Sequence, residues 1–143
     1  MKNLYKIIIL VIITTFTISN SKAQVLSDRS NISISAGLSI GLNANINYEY
    51  RITDNSFISI GYGKLASMAV IPHLDLTHVF LKGNGTHFFE YGYGVVFLNP
   101  IDLIDVFPNV RLGYRNSNDF NSMFFRTGIS ISEGLYFGFG RSF

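Results

Sequence analysis

The chain has 143 residues, a length that suits one domain, since single domains typically have ~100 to 200 residues. Charged residues make up 14% of the chain, whereas soluble domains average about 25%, so an ordinary soluble surface and a disordered tail both fit poorly. The absence of cysteine excludes a disulfide framework and thiolate metal sites.

The N-terminal 23 residues have the features of a secretory signal peptide. Two lysines precede an aliphatic run at residues 7–13, and the small residues Ser21 and Ala23 occupy the positions expected before a cut after Ala23. A transmembrane helix is the alternative, but spanning a bilayer takes about 18 to 25 apolar residues and this run is shorter. We therefore expect cleavage of residues 1–23, which leaves residues 24–143 as the mature domain.

Cleavage changes the charge of the protein. Lys2, Lys6 and Lys22 are lost from the eleven basic residues while all nine acidic residues remain, so the mature net charge is −1. Recognition of nucleic acid requires a basic patch, and the mature sequence has none. We expect no nucleic-acid partner.

Apolar and polar residues alternate along almost the whole mature domain, as in half-buried β-strands. In the first predicted strand, Ile32 and Ile34 share one face, and Ser33 and Ser35 occupy the other. The alternation predicts an all-β fold with strands at about residues 31–39, 43–51, 57–63, 73–82, 87–98, 109–115, 121–131 and 135–143.

Short turns alternate with longer connections between these strands. Turns are predicted at 52–56, 83–86, 116–119 and 132–134, and longer connections at 64–72 and 99–108. Pairing Lys82 with His87, and Ile131 with Leu135, keeps the large apolar residues of each hairpin on one face. The pattern indicates antiparallel hairpins with one continuous apolar face.

The composition of the two faces decides which way the apolar face points. The opposite face is mostly Gly, Ser and Asn, without the Lys and Glu density that keeps a water-facing sheet soluble. Lipid-facing apolar residues around a polar interior are typical of outer-membrane barrels, and eight is the smallest usual number of strands. We predict an eight-stranded antiparallel up-and-down transmembrane β-barrel. The alternative is a soluble, secreted lipocalin-like barrel that binds an apolar ligand.

The C-terminal strand supports the membrane barrel. Leu135, Phe137, Phe139 and the terminal Phe143 recur on one face, and this resembles the C-terminal signal that the outer-membrane assembly machinery reads. Five blocks, at residues 47–51, 83–92, 113–115, 124–128 and 134–143, together resemble a widespread family of small outer-membrane β-barrel proteins with an eight-stranded, OmpA/OmpX-like architecture. The resemblance implies a fold and a location and carries no reaction with it.

Seven charged residues fall on the polar face and are expected inside the barrel. Unpaired charges there would cost several kcal/mol each, so we expect them to form a network of salt bridges that fills the lumen. A gated ion path, or an acid–base pair of Asp75 with Glu90, is the functional alternative. The seven residues are Glu49, Arg51, Asp75, Glu90, Arg111, Arg115 and Arg126.

The remaining chemistry-bearing residues do not predict an active site. His73 takes the inner face and His78 and His87 the outer one, so no metal site is expected. No histidine follows His87 that could join the serines of the last two strands, which disfavours an outer-membrane lipid-modifying enzyme, the third hypothesis. We expect no cofactor.

The connection before the sixth strand is both apolar and acidic, which predicts an extracellular interaction loop for an unidentified ligand. Its residues are Ile101, Asp102, Leu103, Ile104, Asp105, Val106 and Phe107. The leading hypothesis is thus a non-enzymatic, monomeric outer-membrane barrel with a structural or surface-interaction role. Its expected partners are outer-membrane lipids and the assembly machinery.

Overall fold

The computed structural model describes residues 30–66, 69–98, 105–118 and 122–143. The predicted signal peptide lies outside the described residues. Eight strands are present, with β1 at Ser30–Leu38, β2 at Leu42–Thr53, β3 at Ser56–Ala66, β4 at Val70–Asn84, β5 at His87–Leu98, β6 at Asp105–Asn118, β7 at Met123–Ser130 and β8 at Gly134–Ser142. No helix within these ranges is long and apolar enough to cross a membrane.

Each strand pairs in antiparallel fashion with its neighbours in sequence, and β8 pairs with β1, so the sheet closes into a barrel. The predicted eight-stranded antiparallel barrel is confirmed. Closure leaves no edge strand exposed, and every strand therefore has a hydrogen-bonding partner on both sides.

The alternating sequence separates the two faces of the barrel. On β1 the outward Ile34 is 62% exposed, whereas the inward Asn31 and Ser33 are 3% and 1% exposed. On β8 the outward Phe139 is 59% exposed while Tyr136, pointing inward, is fully buried. The interior of the barrel, its lumen, thus collects the polar residues, and most of the large apolar residues lie on the outer surface.

Two hairpin registers differ from those that the sequence predicted. Lys82 pairs with Phe89 and not with His87, because the turn at residues 85–86 has only two residues. Leu135 pairs with Ile129 and not with Ile131, because the turn at residues 131–133 precedes Gly134, which takes a left-handed conformation. Both registers are displaced by two residues, which preserves the face of every side chain.

Two connections are shorter than predicted. The strands β3 and β4 extend to Ala66 and from Val70, which occupies most of the predicted connection at 64–72. Likewise β6 begins at Asp105, and Pro108 lies within it opposite Val95. Proline lacks a backbone N–H donor and usually limits strands, and the predicted sixth strand began just after Pro108. In the structure the pairing of β6 with β5 continues through Pro108 back to Asp105.

The two ends of the lumen differ in character. Near the turns at residues 54–55 and 85–86, Phe57, Val79, Leu81 and Phe88 form a buried apolar cluster, and we call this the apolar end. At the opposite end the turn at residues 131–133 carries a buried carboxylate, and we call this the polar end.

Two glycines with positive φ provide a matched test of the turn geometry. A Cβ on Gly134, at φ +69°, would lie 2.1 Å from the Leu38 carbonyl oxygen, whereas a Cβ on Gly85, at φ +61°, would meet no atom within 4 Å. Gly85→Ala should cost about 1–2 kcal/mol of unfolding free energy from backbone strain alone, and Gly134→Ala should cost more. Urea unfolding in lipid vesicles measures both. Equal losses would contradict the close packing of the 131–133 turn on β1.

Candidate functional site in the barrel lumen

Six of the seven predicted lumenal charges come together in the barrel interior. They lie on β2, β4, β5, β6 and β7, at inward positions of the strand alternation, and each is at most 3% exposed. These six residues are Glu49, Asp75, Glu90, Arg111, Arg115 and Arg126.

Arg115 joins opposite walls of the barrel. From β6 its Nη1 and Nη2 donate to the two carboxylate oxygens of Glu49 on β2, at 2.8 and 2.9 Å, and its Nε donates to Glu90 Oε2 at 2.8 Å. The guanidinium also lies 4.6 Å from the ring centroid of Phe124 and 5.7 Å from that of Phe57. The planar fork of arginine suits such a bidentate contact.

The carboxylate of Glu49 accepts further hydrogen bonds. Arg126 Nη1 donates to its Oε1 at 3.1 Å and Asn31 Nδ2 donates to its Oε2 at 3.0 Å. A fully buried carboxylate that receives donors on both oxygens is compensated for the loss of its hydration. Glu49 is therefore the most completely satisfied acid of the cluster.

Glu133 belongs to the cluster although the sequence analysis placed it in a turn. The turn at 131–133 folds into the lumen, where Arg111 Nη2 donates to Glu133 Oε2 at 3.1 Å. Asn45 Nδ2 donates to its Oε1 at 2.7 Å, and the Ser35 hydroxyl also donates to Oε1. No charge imbalance in the sequence pointed to it, because the buried members of the predicted set already match three arginines with three acids.

The surroundings of Glu133 keep it ionised. Burial by itself raises the pKa of the Glu133 carboxyl, but the charges of Arg111 and Arg126 and the hydrogen bonds from Ser35 and Asn45 outweigh burial and hold that pKa below its ordinary value. The side chain therefore stands in the lumen as a carboxylate at neutral pH.

Tyr136 fills the space between two arginines. The guanidinium groups of Arg111 and Arg126 each lie 5.5 Å from its ring centroid, and its hydroxyl donates to Glu90 Oε1 at 3.3 Å. The glycines paired on β6 and β7 make room for it, because a Cβ on Gly113 would lie 2.5 Å from the tyrosine hydroxyl.

A second polar group lies around Asp75, nearer the polar end. Thr77 Oγ1 donates to Asp75 Oδ1 at 2.5 Å, while Asn109 Nδ2 and Ser132 Oγ donate to Oδ2 at 2.6 and 2.9 Å. Arg111 connects this group to the main cluster, since its Nη2 is 3.9 Å from Asp75 and its Nη1 is 3.8 Å from Glu90. The arginine thus stands between the two carboxylates of the predicted acid–base pair.

Arg51 is not among the fully buried charges. It is half-buried, and its guanidinium lies 5.5 Å from the ring centroid of Phe57, at the apolar end. The cluster that the structure assembles consists of the other six predicted residues, together with Glu133, Tyr136 and the hydrogen-bonding partners Asn31, Ser35 and Asn45.

The remaining predicted sites divide between the outer surface and the undescribed residues. The side chains of the predicted assembly signal, Leu135, Phe137, Phe139 and Phe143, are 48–59% exposed on the outside of the barrel. Three residues of the predicted interaction loop, Asp105, Val106 and Phe107, lie in β6 and pair with β5, so they belong to a strand and not to a loop. Ile101, Asp102, Leu103 and Ile104 lie outside the described residues.

The three histidines stay apart. His73 is buried in the lumen, His78 is half-buried on the outer face, and His87 is exposed there beside the Tyr114 hydroxyl. Among the residues that the structure describes, no three His, Asp or Glu side chains are grouped as metal ligands would be. Each buried carboxylate faces arginine instead, so the chemistry of the lumen is that of paired charges.

Solved structures with the same fold come from membrane barrels. The N-terminal β-barrel domain of Pseudomonas aeruginosa OprF aligns with a TM-score of 0.71 and 14% sequence identity, over 81% of this chain and 98% of that domain. A chain from the de novo design of transmembrane β-barrels aligns with a TM-score of 0.66 and 12% identity, over 80% of this chain and 94% of the design. No protein-family model and no curated protein matches. The chain therefore has the eight-stranded fold of outer-membrane β-barrels, as its sequence blocks predicted.

Proposed function

We propose that this protein is an integral outer-membrane β-barrel with a closed, charge-filled lumen and a non-enzymatic role, structural or in surface interaction. One observation carries the proposal: polarity is reversed relative to a soluble barrel. Fully buried Arg111 and Arg126 lie inside, while Ile34 and Phe139 are 62% and 59% exposed outside. Burial of apolar side chains drives folding in water, so such a surface calls for lipid around it.

The outward charges fit a bilayer. Within the described strands the outward charged residues are Lys64, Lys82 and Arg141, and each lies within two residues of a strand end. Long basic side chains at those positions reach the headgroup region. The middle of the outer surface is left without charge, as a hydrocarbon layer requires.

The contacts across the lumen support a closed barrel. Arg115 and Glu49 connect β6 to β2, and Arg111 connects β6 to Glu133 in the 131–133 turn. These pairs lie across the space that an aqueous channel would need. An eight-stranded barrel is only wide enough to be filled by its own side chains, and the ionic cluster fills it.

The polar end is proposed to face the cell exterior. The strand ends that precede and follow residues 67–69 and 99–104 lie at this end, and the two-residue turns at 54–55 and 85–86 lie at the other. Outer-membrane barrels have short periplasmic turns and longer extracellular loops. Residues 101–104 then remain candidates for surface interaction.

Cell fractionation and gel electrophoresis test the location. We expect recovery in the outer-membrane fraction, together with faster migration of unheated samples in detergent gels, because the closed hydrogen-bonded ring resists unfolding by detergent. A soluble periplasmic or secreted protein whose migration does not depend on heating would contradict the proposal. It would point to the lipocalin-like alternative.

Because the ionic cluster lies inside the barrel, replacing an inward arginine should destabilise the protein far more than replacing an outward arginine. Arg115→Met leaves Glu49 and Glu90 buried without their main partner and should lower the unfolding free energy in vesicles by about 3–5 kcal/mol. Arg141→Met, a matched change on the outer surface, should alter it by about 0.5 kcal/mol or less. Similar losses for both variants would show that the cluster does not hold the barrel together.

Because the proposed lumen is closed, we expect the protein not to conduct ions. The purified protein in planar bilayers should give no steady conductance, because the Arg and Glu side chains of the cluster occupy the path. A porin reconstituted in the same way serves as the positive control. Reproducible ohmic channels from this protein would refute the closed lumen while leaving the membrane location intact.

A further inference from the structure

The outer surface carries a depression between large apolar side chains. It lies on β8, β1, β2 and β3 and has a volume of about 590 Å³. Its floor is Ala36 of β1 paired with Ala44 of β2. Two small residues side by side lower the surface there, because the neighbouring positions carry much larger side chains.

The walls of the depression are apolar on two sides. Phe137 pairs with Ala36 on one side, and Ile34 pairs with Ile46 in the next outward row towards the middle of the barrel. Phe139 extends that row and is also part of the lining. In a bilayer an acyl chain gains from such a trough through close van der Waals packing against these groups, because the lipid around it is equally apolar and supplies no hydrophobic driving force.

The third side carries a cation. Lys64 on β3 pairs with Ala44 and lines the depression, with the aromatic Tyr62 beside it. It is the one charged side chain at the outward positions of β1, β2 and β3, all of which the structure describes. Lys64 lies two residues before the end of β3, and the proposed orientation in the membrane places its ammonium near the lipid headgroups.

We propose that this depression binds one lipid whose phosphate-bearing headgroup has a net negative charge, with an acyl chain over Ala36 and Ala44 and the phosphate at the ammonium of Lys64. The inference rests on the proposed membrane location. An apolar trough that ends in a cation at the interface matches the two parts of such a lipid, its hydrocarbon chain and its anionic headgroup.

A second copy of the chain suits the depression less well. Two barrels in one membrane that met through this face by a two-fold axis would place equivalent residues at the same depth. A two-fold axis through the depression would set each Lys64 against Phe137 of the other copy, because the two side chains lie on opposite sides of the Ala36–Ala44 floor. Each ammonium would then lose hydration without gaining a counter-charge. An anionic lipid instead neutralises the lysine.

Native mass spectrometry tests the site on the full mature protein. The folded barrel is extracted from vesicles of equal parts phosphatidylglycerol and phosphatidylcholine, and the retained lipid is counted. We expect one phosphatidylglycerol to be retained in preference. Lys64→Gln should lower the ratio of the two lipids about five-fold, equivalent to ~1 kcal/mol for one interfacial lysine.

Two further variants separate the site from general surface charge. Lys82→Gln removes an outward lysine near the end of β4, away from the depression, and should leave the lipid ratio unchanged. Ala44→Phe fills the floor and should reduce retention of both lipids. Equal effects of the two lysine changes, an unchanged Lys64→Gln ratio, or retention of a second protein copy in place of lipid would overturn the inference.

The experiment distinguishes this inference from the proposed function. A chain that inserts into the vesicles and resists extraction by alkaline carbonate, yet retains neither lipid in preference, leaves the membrane barrel standing and removes only the lipid site. A chain that carbonate extracts contradicts the membrane location, and the lipid site falls with it.

Discussion

The fold depends on the pairing of charged side chains that the barrel buries in its interior, where each is at most 3% exposed. Closing eight strands into a ring leaves an interior that side chains fill, and in this protein those side chains include arginines and carboxylates. An ion held there loses its hydration and must recover that free energy from its neighbours. Glu49 does so through Arg115, Arg126 and Asn31. Other inward-facing residues leave the space that these contacts need.

Small residues and one tyrosine shape that space. Gly113 and Gly128 leave room for the Tyr136 hydroxyl, because a Cβ on them would lie 2.5 and 2.9 Å from it. Tyr136 in turn offers its ring to Arg111 and Arg126. The guanidinium groups are thus held by aromatic faces as well as by carboxylates. Glycines, tyrosine and arginines form one packed unit, which explains why glycine appears in strands where it has low propensity.

Much of this arrangement could be predicted from the sequence, because a strand alternates with a period of two and the choice of face follows from residue type alone. The two-residue period and the residue type were enough to predict that Arg111, Arg115 and Arg126 point inward. The strand register could not be predicted in this way. A displacement of one strand by two residues leaves every side chain on the same face of the sheet, so the hydrophobic pattern could not decide whether Ile129 or Ile131 pairs with Leu135. Glu133 was missed because a turn has no face, and its carboxylate enters the lumen only because the 131–133 turn bends inward over Gly37.

Different kinds of side chain lie at the two ends of the lumen, because different turns and strand ends meet at each of them. At the apolar end Phe57 and Phe88 cover the cluster with apolar area, which gains by excluding water. At the polar end a turn supplies both a carboxylate for Arg111 and a hydroxyl for Asp75. Each hydrogen bond there ties the turn to a different strand. Loosening this end would therefore expose Asp75, Arg111 and Glu133 together, and the charges that hold the turn inside are also those that water would hydrate first.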